Sequence, residues 1–359
     1  MEKVIKTSKR EISDKSKTYI IAEIGINHNG RFDLAEKLII ESAKAGVDAV
    51  KFQKRDANSI MIKKNINLNP KGYLSKSVTD ISKDQPEYGN WSYPDTRLEL
   101  SEDEYVKLKK IAEQNNVDFF ASPWDEKSLD FLIKIGVSIL KIPSVEIKNY
   151  EFLEKFSRTN LPIILSTGTA EIEDVNKAFD ILSKNNKKII LLQCTSAYPS
   201  KFEEIDLKVI PKFKSQYDCI VGFSGHEPGI NIGVAAAAIG AKVIEKHVTL
   251  NKNMNGTDHL ASIDMEELKL MVDGIRQIEK ALGSDVKKKY ESESVLVSIL
   301  GKSLATKQSL KAGTLLSKEN ITTKGPATGI SAKNYYDVIG KKLKIDKAAD
   351  EIILPEDIR

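Results

Sequence analysis

Lys51, Lys141, His226 and His247 are the side chains in this sequence best placed to do chemistry, because each lies at or near the end of a short apolar run. Two ammonium groups joined by the hydroxyls of Ser122, Ser144, Ser166 and Ser224 would make a cradle for a phosphate. One lysine could instead form a Schiff base with a carbonyl substrate. Pairing with Glu146 or Glu245 as structural charges would account for either lysine equally well. His226 and His247 end successive runs and could converge on one ion. Imidazole suits Mn²⁺, Zn²⁺, Co²⁺ or Fe²⁺, with Glu23 and Asp258 as direct ligands or as groups orienting a bound water. Histidines bonded to backbone would fit the same spacing. Other polar groups follow the runs: Asn27, His28 and Asn29, then Thr167, Gln193 and Thr195, then Tyr198 and His259. Gln53 is two residues from Lys51 and shares its face of a strand. The Ser166–Gly168 turn is a weak phosphate signal, and no P-loop or dinucleotide fingerprint occurs. A buried charge costs several kcal/mol unless paired or met by a ligand, so so many polar run ends are hard to explain as packing.

The runs that carry these residues read as strands: Tyr19–Ile24, Ala49–Phe52, Val117–Ala121, Val137–Ile142, Pro162–Ser166, Lys188–Cys194, Cys219–Phe223 and Lys242–His247. Between them lie segments such as FDLAEKLIIESAKAG and IEDVNKAFDILSKNN, whose apolar positions recur at helical spacing. Strand–helix alternation implies a parallel sheet with crossover helices. Eight units predict closure into a (β/α)₈ TIM barrel, an open doubly wound sheet being the alternative. Barrel active sites lie at the C-terminal ends of the strands, where the polar residues fall. The stretch from about Lys54 to Leu98 is a long insertion, either a functional loop or a passive excursion. Beyond Gly283 the helical rhythm stops. The predicted division is a loose polar leader over 1–18, a barrel over 19–283, a charged connector over 284–294 and a small β-rich module over 295–359.

A chain of 359 residues suits one barrel of about 250 residues and such a module. No apolar run approaches the roughly 18 residues that span a membrane, and the first residues lack a signal-peptide core. The two cysteines, Cys194 and Cys219, have no metal spacing and read as packed thiols in a reducing compartment, which together predicts a cytoplasmic protein. A net charge of +4 with interspersed signs gives no indication of nucleic-acid binding.

The run of motifs IIAEIGINHNG (Ile20–Gly30), KFQK (Lys51–Lys54), LKIPSVE (Leu140–Glu146), ILSTGT (Ile164–Thr169), LLQCTSAYP (Leu191–Pro199), VGFSGHEPG (Val221–Gly229) and VIEKHVTL (Val243–Leu250) resembles the sialic acid synthases in order and spacing. That family includes the legionaminic and pseudaminic acid synthases. The final module is similar to the family's antifreeze-like (SAF) domain. The resemblance implies condensation of phosphoenolpyruvate with an open-chain N-acetylmannosamine-type aldehyde, giving a nine-carbon 2-keto acid and phosphate by C–O cleavage. It implies that His226 and His247 bind Mn²⁺ or a similar ion, with Mg²⁺ and Co²⁺ as alternatives. Lys51, Ser122, Lys141, Ser144, Ser166 and Ser224, with Thr167 beside them, match positions that hold phosphoenolpyruvate. Glu23, Gln53, Tyr198 and Asp258 match positions near the sugar or the metal's water. Glu146 matches a carboxylate beside the phosphoenolpyruvate, and Glu23 or Glu146 would handle the proton. The family also implies a domain-swapped homodimer.

Several positions depart from bacterial members. KFQ, SGH and LQCTSAYP resemble animal relatives, and Val145 stands where glycine is usual in the SxE stretch. Gly325 replaces the arginine that reaches the sugar's N-acetyl group from the partner. Arg97 resembles a position on the phosphate side of enzymes using a 6-phosphorylated sugar. The acceptor therefore stays open among N-acetylmannosamine, its phosphate and a 2,4-diacetamido-2,4,6-trideoxy hexose, the last because LKIPS also resembles legionaminic acid synthases. A Schiff-base or metal aldolase on the same barrel, and a non-catalytic ice-binding protein, are the competing classes.

Overall fold

The structure is a computed structural model and describes residues 3–60 and 98–359. Arg97 and most of the long insertion lie outside the described residues. The chain divides into two compact units, Met1–Gly283 and Ser284–Arg359.

The first unit opens with a hairpin of β1 (Val4–Lys6) and β2 (Glu11–Ser13), then alternates eight strands with helices. The strands are β3 (Tyr19–Gly25), β4 (Ala49–Lys54), β5 (Asp118–Pro123), β6 (Leu140–Ile142), β7 (Ile163–Ser166), β8 (Ile189–Cys194), β9 (Ile220–Gly225) and β10 (Val243–His247). Their hydrogen-bonded order is β5-β4-β3-β10-β9-β8-β7-β6, all parallel. The first strand of the alternation thus pairs with the last, which closes the sheet and excludes an open doubly wound arrangement. The remaining seam, between β5 and β6, has the two strands side by side without a paired ladder. It is a TIM-like barrel. Strands covered on both faces read as continuous apolar runs, and β3, β5, β8 and β9 are buried along their whole length.

The helices bury one stripe each against this sheet. In Phe32–Ala45 the buried positions are Ala35, Leu38, Ile39, Ser42 and Ala45, spaced three and four apart. Glu102–Gln114 and Met265–Leu282 start with reciprocal capping boxes, Ser101 with Glu104 and Asp264 with Glu267, which satisfy first-turn N–H groups. No described helix is long and apolar enough to cross a membrane.

The N-terminal segment corrects the expectation of a loose leader. Ile5 and Ile12 are 4% and 0% exposed and belong to the barrel's core cluster. Asp118, at the start of β5, accepts hydrogen bonds from the hydroxyls of Thr7 and Ser8, from the Lys9 N–H at 3.1 Å and from Tyr19 Oη at 2.9 Å. Arg10 Nε lies 2.9 Å from Asp48 Oδ1. Two three-residue strands with one core isoleucine each carry too little periodicity to register as structure in a Lys-rich sequence.

The second unit contains a short helix, Ser294–Leu300, where short β-like runs are expected from Val295. Beyond it, β11 (Ser303–Thr306) pairs antiparallel with β12 (Ile321–Lys324). Its core comprises Leu304, Leu310, Leu316, Ile321, Ile330, Val338, Leu343 and Ile353. Lys347 is buried against Asp357 at 2.7 Å.

Candidate active site

A cavity opens at the C-terminal ends of the barrel strands, and every strand of the barrel contributes to it or to the loop that follows it. Parallel pairing sets the neighbours. Glu23 is opposite Lys51 on one side and His247 on the other. Glu245 is opposite Ser224. Alternation then sends Glu23, Lys51, Lys141, Ser224, Glu245 and His247 inward.

Four buried charges alternate across the floor. Lys51 Nζ is 2.8 Å from Glu23 Oε2 and 3.8 Å from Glu245 Oε2, and Lys141 Nζ is 2.8 Å from Glu245 Oε1. Lys51 also donates to Ser122 Oγ at 3.2 Å, and Ser224 Oγ donates to Glu245 at 2.9 Å. Both lysines are therefore paired with carboxylates in the structure, as the structural reading of these charges expects. Burial raises Glu23, only partly opposed by Lys51, so that its carboxyl is pushed up to about 7. Burial also acts on Glu245, but Lys141 and Lys51 outweigh it and hold that carboxyl well below the usual range. Burial lowers Lys141 despite Glu245, whereas the two carboxylates keep Lys51 above its ordinary value against the same burial.

Serines and a glycine shape the rest of the floor. Ser166 is 2% exposed, and its hydroxyl has no hydrogen-bond partner among the described residues. Such a group calls for an explanation, and a bound ligand supplies one. Gly25 ends β3 in the left-handed region at φ 54°, where the ladder register shifts. A Cβ there would lie 3.2 Å from Glu23 Oε1, 3.3 Å from Gln53 Nε2 and 3.5 Å from Asp258 Oδ2, so the glycine lets these three polar groups meet. Gln53 Nε2 donates to Glu23 at 3.2 Å.

The two histidines stand with ring centroids 5.2 Å apart, and the ring of Tyr198 packs 4.1 Å from His226 and 5.6 Å from His247. His226 Nδ1 is 2.7 Å from the carbonyl of Thr195. A carbonyl only accepts, so Nδ1 carries the proton and Nε2 keeps its lone pair in the neutral ring. His247 Nδ1 is buried without a hydrogen bond among the described residues, 3.5 Å from Asp258 Oδ2. Burial and the neighbouring His226 push His247 well below its ordinary value, keeping it neutral. Among the described residues no group of three or more His, Cys, Asp and Glu side chains forms a complete metal cluster. Burial lowers His226, but the neighbouring Cys194 outweighs it and raises that imidazole above its ordinary value. Two imidazoles beside a carboxylate nevertheless fit a divalent ion whose remaining positions go to water and substrate.

The structure brings together Glu23, Lys51, Gln53, Ser122, Lys141, Ser144, Ser166, Tyr198, Ser224, His226, His247 and Asp258. It does not bring in two residues expected there. Thr167 follows the inward Ser166 by one position and faces away, and its hydroxyl donates to the Leu192 carbonyl at 2.9 Å. Glu146 lies in a 3₁₀ turn, Ser144–Glu146, that carries it off the cavity, where it accepts from Asn149 Nδ2 at 2.7 Å. Burial pushes its carboxyl upward. Other strand-end residues are structural. Asn27 ties to Val248 and Ser262, and His28 Nδ1 accepts from the Gly30 N–H. Gln193 Nε2 donates to the Ile205 carbonyl, and His259 Nδ1 pairs with the Thr249 hydroxyl.

Polar contributors to the cavity also went unrecognised in the sequence, Cys194, Ser196 and Arg55 among them. Cys194 lines the cavity beside His226, and burial of its thiol is outweighed by that imidazole, which brings it down to about 7. Cys219 is buried elsewhere and pushed up to about 12. Arg55 lies over the Trp124 ring at 5.4 Å and pairs with Glu99 at 2.8 Å. The inward parity of Cys194, two residues before Ser196, was the available signal for the first.

The NeuB family profile matches residues 38–287, and the SAF domain profile matches residues 301–359. The chain is 42% identical over 340 residues to N,N'-diacetyllegionaminic acid synthase from Campylobacter jejuni, covering 94% of this chain and 99% of that one. It is 35% identical to N-acetylneuraminate-9-phosphate synthase from Homo sapiens, covering 97% of this chain and 94% of the relative. The crystal structure of N-acetylneuraminic acid (sialic acid) synthetase from Leptospira borgpetersenii, in complex with citrate, superposes with a TM-score of 0.69 at 33% identity, covering 83% of this chain and 96% of that one.

Proposed function

The chain belongs to the NeuB family and is a synthase with a C-terminal SAF domain, and from this we propose that it condenses phosphoenolpyruvate with an N-acetylmannosamine-type sugar. The products are a nine-carbon 2-keto sugar acid and phosphate. The observation that carries the reading is the buried Glu23–Lys51–Glu245–Lys141 array beside the unpartnered Ser166 hydroxyl. An array balanced internally can accept a trianionic ligand by letting its lysines turn from carboxylate to phosphate.

Lys51 and Lys141, with Ser122, Ser144, Ser166 and Ser224, hold the phosphoenolpyruvate. Its C3 adds to the open-chain aldehyde carbon. Water then adds at C2, and the C2–O bond to phosphate breaks. Glu23 is the carboxylate assigned to the proton of that water, because it faces the cavity and titrates near neutrality. Gln53 and Tyr198 flank the acceptor. A divalent ion, Mn²⁺ in the first place and Mg²⁺ or Co²⁺ otherwise, would be held by His226 and His247 with Asp258 and would supply Lewis-acid polarisation of the aldehyde. We place the enzyme in the cytoplasm as a domain-swapped homodimer.

A second acceptor, 2,4-diacetamido-2,4,6-trideoxymannose, is favoured by two observations. The 42% identity is to a legionaminic acid synthase. Ile26, Trp124 and Val145 also add apolar side chains to the cavity lining, which suits a deoxy sugar better than a phosphorylated one. The test is phosphate release from phosphoenolpyruvate with Mn²⁺, offering N-acetylmannosamine, its 6-phosphate and the trideoxy sugar separately, with mass spectrometry of each product. Metal-dependent release with one sugar and a nine-carbon acid of matching mass supports the proposal and names the acceptor. A borohydride-trapped lysine adduct, with no phosphate released, would replace it with a Schiff-base aldolase.

A further inference from the structure

On β10 the side chains of Glu245 and His247 face the cavity, while Lys246, between them, points out of it. Lys246 is nonetheless 1% exposed. A fully buried ammonium needs a partner, and it has one. Its Nζ lies 2.9 Å from Oε1 of Glu227, itself 1% exposed, and also donates to the Glu227 backbone carbonyl. Glu227 directly follows His226. On the adjacent strand, Lys246 is in register with Gly225. A Cβ at Gly225 would stand 2.5 Å from Glu227 Oε2, so glycine there leaves the room that the carboxylate fills.

One ion pair thus joins the residue after the first cavity imidazole to the residue before the second. It holds the side chain and the backbone of Glu227 at once, and neither residue lines the cavity. We propose that Lys246 and Glu227 are positioning residues that fix the separation of His226 and His247 for a divalent cation. The proposal rests on the reading of the two histidines as metal-holding residues. The Thr195 carbonyl sets the rotation of the His226 ring. The Lys246–Glu227 pair sets where its backbone stands relative to β10. Groups that orient metal ligands from outside typically change metal affinity by about 10- to 100-fold when removed.

The test uses the full-length protein and Mn²⁺ titrated by calorimetry. Removing one partner alone leaves a buried charge unpaired and invites misfolding. The decisive variant is therefore the double neutral one, Lys246→Met with Glu227→Gln, checked by its thermal midpoint, and Lys246→Arg is the conservative control. The expected result is a folded double variant that binds Mn²⁺ about 10- to 100-fold more weakly, with kcat reduced and KM for phosphoenolpyruvate unchanged. Lys246→Arg should retain most of the native Mn²⁺ affinity. Native Mn²⁺ affinity in the folded double variant overturns the positioning role and leaves the proposed reaction standing. If the wild-type protein binds no Mn²⁺ and phosphoenolpyruvate turnover survives chelation, the metal reading and this inference fall together.

Discussion

Lys141 Nζ lies 2.8 Å from Oε1 of Glu245, and both side chains are almost wholly buried at the floor of the cavity. Glu245 also faces Lys51 at 3.8 Å, so among the described residues it is the carboxylate that pairs with both lysines. Glu245→Gln should leave two buried ammonium groups with Glu23 as their main counter-charge. Breaking a buried pair on one side typically costs about 3–5 kcal/mol. Urea denaturation of the variant should show a loss of that order, partly recovered when phosphoenolpyruvate is added. Unchanged stability would mean that the lysines are not held by this carboxylate.

Ser166 gives the opposite pattern. Its hydroxyl is buried and bonds to no described residue, so Ser166→Ala removes no protein hydrogen bond and should be close to neutral in stability. A hydrogen bond to a charged ligand is worth about 1.5–3 kcal/mol. KM for phosphoenolpyruvate should therefore rise by about tenfold or more, as steady-state kinetics would show. A loss of stability with unchanged KM would place the hydroxyl in the fold rather than in the site.

Glu23 predicts a pH dependence. Burial raises its carboxyl to about 7 against the pull of Lys51. Below that pH it is protonated and can accept no further proton, and above it the carboxylate is present. The value of kcat/KM should climb by about tenfold per pH unit below 7 and flatten above. Glu23→Gln should be low throughout and lack that limb. A wild-type profile that is flat across neutrality would remove Glu23 from proton transfer.

Ile12→Ala, in the N-terminal hairpin, should cost about 2–5 kcal/mol, as for other fully buried aliphatic side chains. A loss below about 0.5 kcal/mol in denaturant unfolding would return the segment to a loose leader.

The barrel was legible because strands buried on both faces stay apolar throughout, as in Ile189–Leu192, and because helices such as Phe32–Ala45 keep a strict apolar stripe. Closure was not legible from periodicity, since the β3–β10 pairing joins residues more than two hundred positions apart and leaves no local mark. The hairpin was missed because Val4–Ile5 and Ile12 are one- and two-residue apolar islands among charged and polar ones. The site followed from strand ends, but orientation did not always follow with it. One step of parity turns Thr167 away from Ser166, and a 3₁₀ turn does the same to Glu146. Lys246 stands between Glu245 and His247 with no partner evident in the sequence. Only the fold shows that it faces out of the cavity and pairs with Glu227.

In the proposed condensation phosphate leaves by C–O cleavage. Phosphoenolpyruvate carrying ¹⁸O in its bridging oxygen, turned over with Mn²⁺ and the accepted sugar, tests it directly. The account predicts that the label appears in the released phosphate and that the 2-keto oxygen of the nine-carbon acid comes from water. Label retained in the keto acid would mean P–O cleavage and would contradict the account.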